Sequence, residues 1–343
     1  MKKVLISDVT LRDGNHALMH KIDKTTISTY CNLLNDTGVD ICEIGHGNGI
    51  GASSVSIGRS ALDYEESLKT AKRNLNKKIK LSVHAIPGFA KIDDIKKCSD
   101  LGVDIFRVGS NSPDYNLTFQ LIEYCKKINK DAWCVLMMSH LIYDKKKYLD
   151  VLKEINKIGI KQVIFMDTAG YYLPIHIENI FKDVKKFNMN FGIHAHNNFS
   201  TGVWNSITAV LNGANVVDVA TRGLGAGAGN AHFEVFAAIA KKMKLQNIKL
   251  DLNKIFILSD YLKKRLMLKF NKRDNFIENN NILSGYYGVV AAFAPQIDKF
   301  SAKFKKNIYE SYKKVGERDL VAGQEDLIPD ILSNLNQKSK KDL

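Results

Sequence analysis

Eight short β-rich runs divide most of this chain: VLISDVTL (4–11), VDICEIG (39–45), KLSVHAI (80–86), VDIFRVGS (103–110), AWCVLMM (132–138), QVIFMD (162–167), FGIHAH (191–196) and VVDVAT (216–221). Between them lie amphipathic segments such as YEESLKTAKRNL, IDDIKKCSDLG, LTFQLIEYCKKIN, KKYLDVLKEINKIG and IENIFKDVKKFN, whose apolar residues recur at three and four. Several of these close in Gly or Asn just before the next run, where a helix stops. Strands that alternate with helices must pair in parallel, because each helix carries the chain back to the sheet's starting edge. Eight units over about 240 residues fit a closed barrel better than an open eight-stranded sheet.

The expected fold is therefore α/β, a (β/α)8 TIM barrel over residues 1–250. Beyond it the pattern turns helical without strands, in LNKIFILSDYLKKRLMLKF, NNILSGYYGVVAAFAPQIDKFSAKF and QEDLIPDILSNLNQ. This predicts a helical C-terminal domain over 251–343, ending in a frayed polar tail, QKSKKDL.

Composition narrows the function classes. The chain has 343 residues, 45% of them hydrophobic and 25% charged, with only 5 prolines, so a packed core rather than disorder is expected. Its formal charge of +14 would favour nucleic acid only if the lysines formed one surface. Instead KKIK (77–80), KKK (145–147), KKMK (241–244) and KSKK (338–341) are scattered, with few aromatics between them, so no nucleic-acid partner is expected. Small anionic substrates would still gain from the field. The five cysteines, Cys31, Cys42, Cys98, Cys125 and Cys134, are odd in number and contain no CxxC pair, which fits a reducing, cytoplasmic location. The N-terminal apolar run breaks at Asp8, too early for a signal peptide, and nothing approaches the ~18 apolar residues of a membrane span.

In this barrel, catalysis is carried at the C-terminal ends of the strands and in the loops that follow. The first run ends in Arg12, Asp13 and His16, the second in Glu43 and His46, the sixth in Asp167 and Thr168, the seventh in HAHNN and the eighth in TRGLGAGAGN. His194 and His196 are two apart on one strand and so share a face. Two neutral imidazoles and a carboxylate make a facial set for a divalent metal with positions left open for substrate, and Asp13 is the natural third ligand. The competing view makes both histidines ordinary core residues. Arg12 would be a preorganised cation for charge developing on a substrate oxygen, and His16 a general base for a hydroxyl. No strand end carries a lysine, so carbonyl chemistry through a Schiff base lacks its nucleophile. GLGAGAGN (223–230) follows the last strand instead of opening a βαβ unit, which argues against a dinucleotide fingerprint. It is a turn that either presents amides to an anion or simply packs tightly, and Asn230 at its end is a candidate contact to the metal region.

ISDVTLRDGNHAL, EIGHGNG, VLMMSH, MDTAG, IHAHNNFSTGVWNSI, GLGAGAGN, SGYYGVV and VAGQED, in this order, closely resemble the 4-hydroxy-2-oxovalerate aldolases. These are class II, pyruvate-forming enzymes of the larger family that includes hydroxymethylglutaryl-CoA lyase and isopropylmalate synthase. The condensing synthases typically carry glutamine near the position of His16, so His16 favours an aldolase over the alternative, an acyl-CoA-dependent condensing enzyme or lyase.

The resemblance implies metal ligation by Asp13, His194 and His196, with Mn2+ ahead of Mg2+ or Co2+. It implies Arg12 as stabiliser of an enolate and His16 as catalytic base. It also implies Thr168 at a substrate-contacting position, and Tyr286, rather than Tyr287, as the C-terminal tyrosine reaching back into the site. The substrate would be a 4-hydroxy-2-oxoacid, and the partner an acylating aldehyde dehydrogenase met through the C-terminal helices; an oligomer is expected. Arg222, Thr168 and the residues from Asn111 to Tyr115 depart from the family pattern near the substrate, which leaves the aldehyde open; the added cation at Arg222 could bind a further anionic group.

Overall fold

A computed structural model describes residues 3–143, 147–267 and 277–335. The expected tail at 337–343, the end of the first C-terminal helical run (268–270), the KSKK run and part of KKK lie outside these residues. Eight strands, β1 (Leu5–Asp8), β2 (Ile41–Glu43), β3 (Lys80–Ala85), β4 (Ile105–Asn111), β5 (Asp131–Met137), β6 (Gln162–Asp167), β7 (Asn190–Ala195) and β8 (Val216–Val219), pair in sequence order and close into a barrel. Every pairing is parallel, and β1 returns to β8 with Leu5 opposite Val216 and Asp8 opposite Val219.

A one-turn helix, α1 (Gly14–Ala17), follows β1, and α2 (Lys24–Leu34) completes that connection. The other barrel helices are α3 (Tyr64–Asn74), α4 (Ile92–Asp100), α5 (Phe119–Lys127), α6 (Lys147–Lys157), α7 (Pro174–Asp183), α8 (Gly202–Leu211) and α9 (Phe233–Lys242). Local chemistry starts several of them: the Asp23 and Asp63 carboxylates accept from the backbone N–H of Thr26 and Glu66 and so cap α2 and α3.

Each strand buries both faces. Outward residues such as Ile6, Val83, Phe106, Phe165 and Val217 join the helices in the main core. Inward residues Leu5, Ile41, Ile105, Trp133, Ile164 and Val216 plug the lower barrel.

The C-terminal region begins with α10 (Leu252–Leu262), whose Ile255, Leu258 and Leu262 belong to the barrel's own core. The boundary expected at 250 thus leaves a barrel helix on the C-terminal side. A separate apolar cluster forms farther on, from α11 (Asn279–Tyr287), α12 (Ala294–Lys303), α13 (Ile308–Gly316) and α14 (Ile328–Ser333), around Leu283, Phe293, Ile297, Tyr312 and Ile328. The second expected helical run is split in two. Gly288 terminates α11 with φ +67°, a left-handed conformation that glycine adopts without strain. Met138, just past β5, joins this second cluster, so the helices sit over the strands' C-terminal ends.

The five cysteines are free and buried. Among the described residues no helix is long and apolar enough to cross a membrane.

Candidate active site

The C-terminal mouth of the barrel holds a cavity of ≈ 370 Å³. Arg12, Asp13, His16, His84, Thr168 and His196 face it from the strand ends, and Val290, Ala291 and Ala322 close it from the helical region. Asp13, His194 and His196 each offer a ligand atom, and the three atoms lie within 4.8 Å of one another. The Asp13 carboxylate is 3.8 Å from His196 Nε2. All three residues are buried, and neither His194 Nε2 nor either nitrogen of His196 has a hydrogen-bond partner. Buried imidazole nitrogens are ordinarily satisfied. Unsatisfied nitrogens converging on a carboxylate are the donor set of a divalent cation, so these residues fit the metal that the sequence implies.

The electrostatics suit ligation. Burial alone would raise the Asp13 pKa, but Arg12 and the neighbouring histidines hold it well below the carboxylate range. Burial lowers His196 to about 4, so its imidazole is neutral with a free lone pair at physiological pH. Asp13 is further fixed by Asn230, whose Nδ2 donates to its Oδ2 at 2.6 Å, and by the Ala226 N–H at 3.3 Å. The glycine-rich turn therefore points an amide at a protein carboxylate, and Asn230 reaches the candidate metal region through Asp13. Gly225 is required there, since a Cβ would lie 2.2 Å from the Asn230 amide nitrogen and 2.6 Å from Asp13 Oδ2.

Arg12 is buried between two anions: Nη1 donates to Asp13 Oδ1 at 2.7 Å, and Nε donates to Glu43. His16 sits half-buried on the adjoining turn, its ring 5.4 Å from His20 and 6.5 Å from His46. Burial lowers its pKa below the usual 6.5, with Asp13 pulling upward and Arg12 adding to the depression. Thr168 lines the cavity, its hydroxyl accepting the Met138 N–H at 2.8 Å.

Other expected residues fall elsewhere. Tyr286 is 67% exposed and is not among the residues lining the cavity. Leu283 and Tyr287, one turn apart, turn α11's apolar face into the C-terminal cluster, and Tyr286 lies at the exposed flank of that face. Arg222 does not line the cavity either: its N–H groups bond the Glu234 carboxylate and Ser259 Oγ, which binds it to the barrel's outer helices. Asp167 caps its own loop, accepting from Tyr171 and Tyr172 N–H, and burial raises it to about 7. His46 stacks on His20 at 3.5 Å beside a second cavity lined by Leu11, Ile22, Ile44 and Leu62.

Sequence reading missed Arg107 and Asp218, and gave Glu43 no partner. All three are inward-facing charges inside otherwise apolar strands, and the two-residue period that paired the histidines also marks them.

Fold and site together define a (β/α)8-barrel enzyme whose mouth offers one carboxylate and two imidazoles to a divalent ion. Residues 3–262 match the HMGL-like family and residues 275–337 the DmpG-like communication domain. A 4-hydroxy-2-oxovalerate aldolase of Pectobacterium atrosepticum is 35% identical over 341 residues, covering 99% of this chain and 97% of that protein. The chain belongs to the HMGL-like family, among the 4-hydroxy-2-oxovalerate aldolases. Relatives of that name from Spirochaeta aurantia (34% identical; 98% of each chain) and Salinispora arenicola (37%; 96% of this chain, 93% of that protein) are similarly close. The carboxyl transferase domain of Rhizobium etli pyruvate carboxylase, solved with pyruvate, shares the fold with TM-score 0.79 at 15% identity, covering 97% of this chain and 61% of that one.

Proposed function

We propose that this chain cleaves 4-hydroxy-2-oxovalerate, or a related 4-hydroxy-2-oxoacid, to pyruvate and an aldehyde. The observation that carries this reading is the convergence of Asp13, His194 and His196, two of which, Asp13 and His196, line the same cavity as Arg12 and His16. A divalent ion held by the three ligands, with Mn2+ proposed ahead of Mg2+ or Co2+, would supply Lewis acidity to the 2-oxo and carboxylate oxygens. His16, neutral because burial disfavours its cation, takes the proton of the 4-hydroxyl. The C3–C4 electron pair moves to the pyruvate fragment as the aldehyde C=O forms, and the guanidinium of Arg12 stabilises the resulting enolate oxygen. A proton delivered to C3 completes pyruvate. Thr168, on the cavity wall, is proposed to contact substrate.

The barrel is proposed as the catalytic unit, and the helical region as the surface for an acylating aldehyde dehydrogenase, which the match to a communication domain supports. An oligomeric, cytoplasmic enzyme is proposed. The test is pyruvate release from 4-hydroxy-2-oxovalerate with Mn2+ present and after chelation. Absence of pyruvate from any 4-hydroxy-2-oxoacid in metal-replete protein refutes the reading, and free thiol release from acetyl-CoA with a 2-oxoacid would favour a condensing enzyme instead.

A further inference from the structure

Above the apolar plug, the barrel interior changes character. Two residues along from Leu5, Ile41, Ile105 and Val216, the inward positions are Ser7, Glu43, Arg107 and Asp218, all buried. Arg107 is completely enclosed. Its Nη1 lies 2.7 Å from Glu43 Oε2 and 3.4 Å from Ser7 Oγ, and its Nη2 donates to Asp218 Oδ2. The same Asp218 oxygen lies 2.9 Å from His194 Nδ1. At the other end Glu43 accepts from Arg12, and Arg12 donates to Asp13. A continuous chain of charges thus runs Asp13, Arg12, Glu43, Arg107, Asp218, His194, and both of its ends are candidate ligands.

Stability does not account for such a layer. Replacing buried ion pairs by apolar residues of similar volume is often neutral or stabilising, and the neighbouring layer of the same barrel is apolar. What the chain supplies is geometry. With Nδ1–H donated to Asp218, the lone pair of His194 is on Nε2, the nitrogen that has no other partner.

We propose that Asp218 and Arg107 are positioning residues: Asp218 sets the tautomer and ring orientation of His194, and Arg107 holds Asp218 and Glu43 together, so that the ligand set and Arg12 are fixed by one buried chain. The inference rests on the functional reading above.

The test is titration of metal-free wild type, Asp218→Asn, Arg107→Lys and the double variant with Mn2+ alone, reading free Mn2+ by electron paramagnetic resonance and fold by circular dichroism. Asp218→Asn weakens Mn2+ binding about 10- to 100-fold, the range for outer partners of metal-ligating histidines. Arg107→Lys weakens it too, and the double variant is little worse than the poorer single, because both act through His194. At saturating Mn2+, Asp218→Asn recovers most of kcat. Arg107→Lys keeps a kcat deficit, since it also releases Glu43 and Arg12. Wild type that binds Mn2+ with Asp218→Asn equally tight overturns this inference alone, as do fully additive losses. Wild type that binds no Mn2+ overturns the functional reading with it. If Arg107→Lys does not fold, the Asp218→Asn comparison decides.

Discussion

The Nδ2 of Asn230 donates to Oδ2 of Asp13 at 2.6 Å, joining the turn after the last strand to the turn after the first. The same amide also donates to Leu224 O at 3.0 Å, so it is anchored to its own loop and acts as a fixed strut. Asn230→Ala removes the shortest of the donors to Asp13 Oδ2 and leaves that oxygen with only the longer Ala226 N–H hydrogen bond. The expected result is about a tenfold weaker affinity for Mn2+, at the lower end of effects from outer partners of metal ligands. Equilibrium dialysis against Mn2+ measures it, and an unchanged affinity would show that Arg12 and Ala226 suffice to hold Asp13.

Arg12 uses the geometry of its guanidinium as well as its charge. One edge meets Glu43 and another meets Asp13, a pattern that the single ammonium of lysine cannot match. Arg12→Lys keeps the buried cation, so the fold should persist by circular dichroism. Turnover should fall roughly 10²–10³-fold, the cost of losing one donor to a developing oxyanion. Steady-state pyruvate release reports the change. A loss confined to KM would assign Arg12 to ground-state binding.

Gly47 offers a test of the base that removes no functional group. A Cβ there would lie 2.5 Å from three atoms of the His16 ring. Gly47→Ala should push the imidazole off its position and cost about 10²-fold in kcat, the penalty of a misplacement near 1 Å. Mn2+ affinity should be unchanged, because no ligand touches Gly47 among the contacts shown. Parallel loss of Mn2+ binding would mean that the whole turn had moved.

The barrel was legible because each strand is buried on both faces and each helix on one, so the two hydrophobic periods stand out. The candidate ligand set was legible for the same reason: His194 and His196 interrupt an apolar run at a two-residue spacing, one inside β7 and one just past its end. The strand ends were overextended, as at 4–11 against Leu5–Asp8, because Val9 and Leu11 are buried in the loop and their apolar character does not distinguish strand from turn. Tyr286 and Arg222 do not line the cavity, and the sequence carried no sign of that. Motif position gives their place along the chain, while their direction depends on which face of α11 packs inward and on a left-handed residue at φ +56° after β8. Arg107 and Asp218 carried a signal as clear as that of the histidines, but each partner lies on another strand, and only closure of the barrel brings them together.

The acid limb of the rate profile identifies the base. Burial lowers the His16 pKa below its usual 6.5. A general base works only when neutral, so activity is present above this lowered pKa and is lost as pH falls through it. The acid limb of kcat/KM for pyruvate release should therefore lie below pH 6.5. His196, held near 4, supplies a second way to lose activity in acid, because a protonated imidazole cannot bind metal. The two separate under a change in Mn2+ concentration: more metal moves a ligand-protonation limb to lower pH and leaves a base limb in place. His16→Ala should abolish the metal-insensitive limb and cost about 10²–10⁴-fold in rate, the usual contribution of a positioned general base. A metal-insensitive limb at or above pH 6.5, or one that survives in His16→Ala, would move the base to another group.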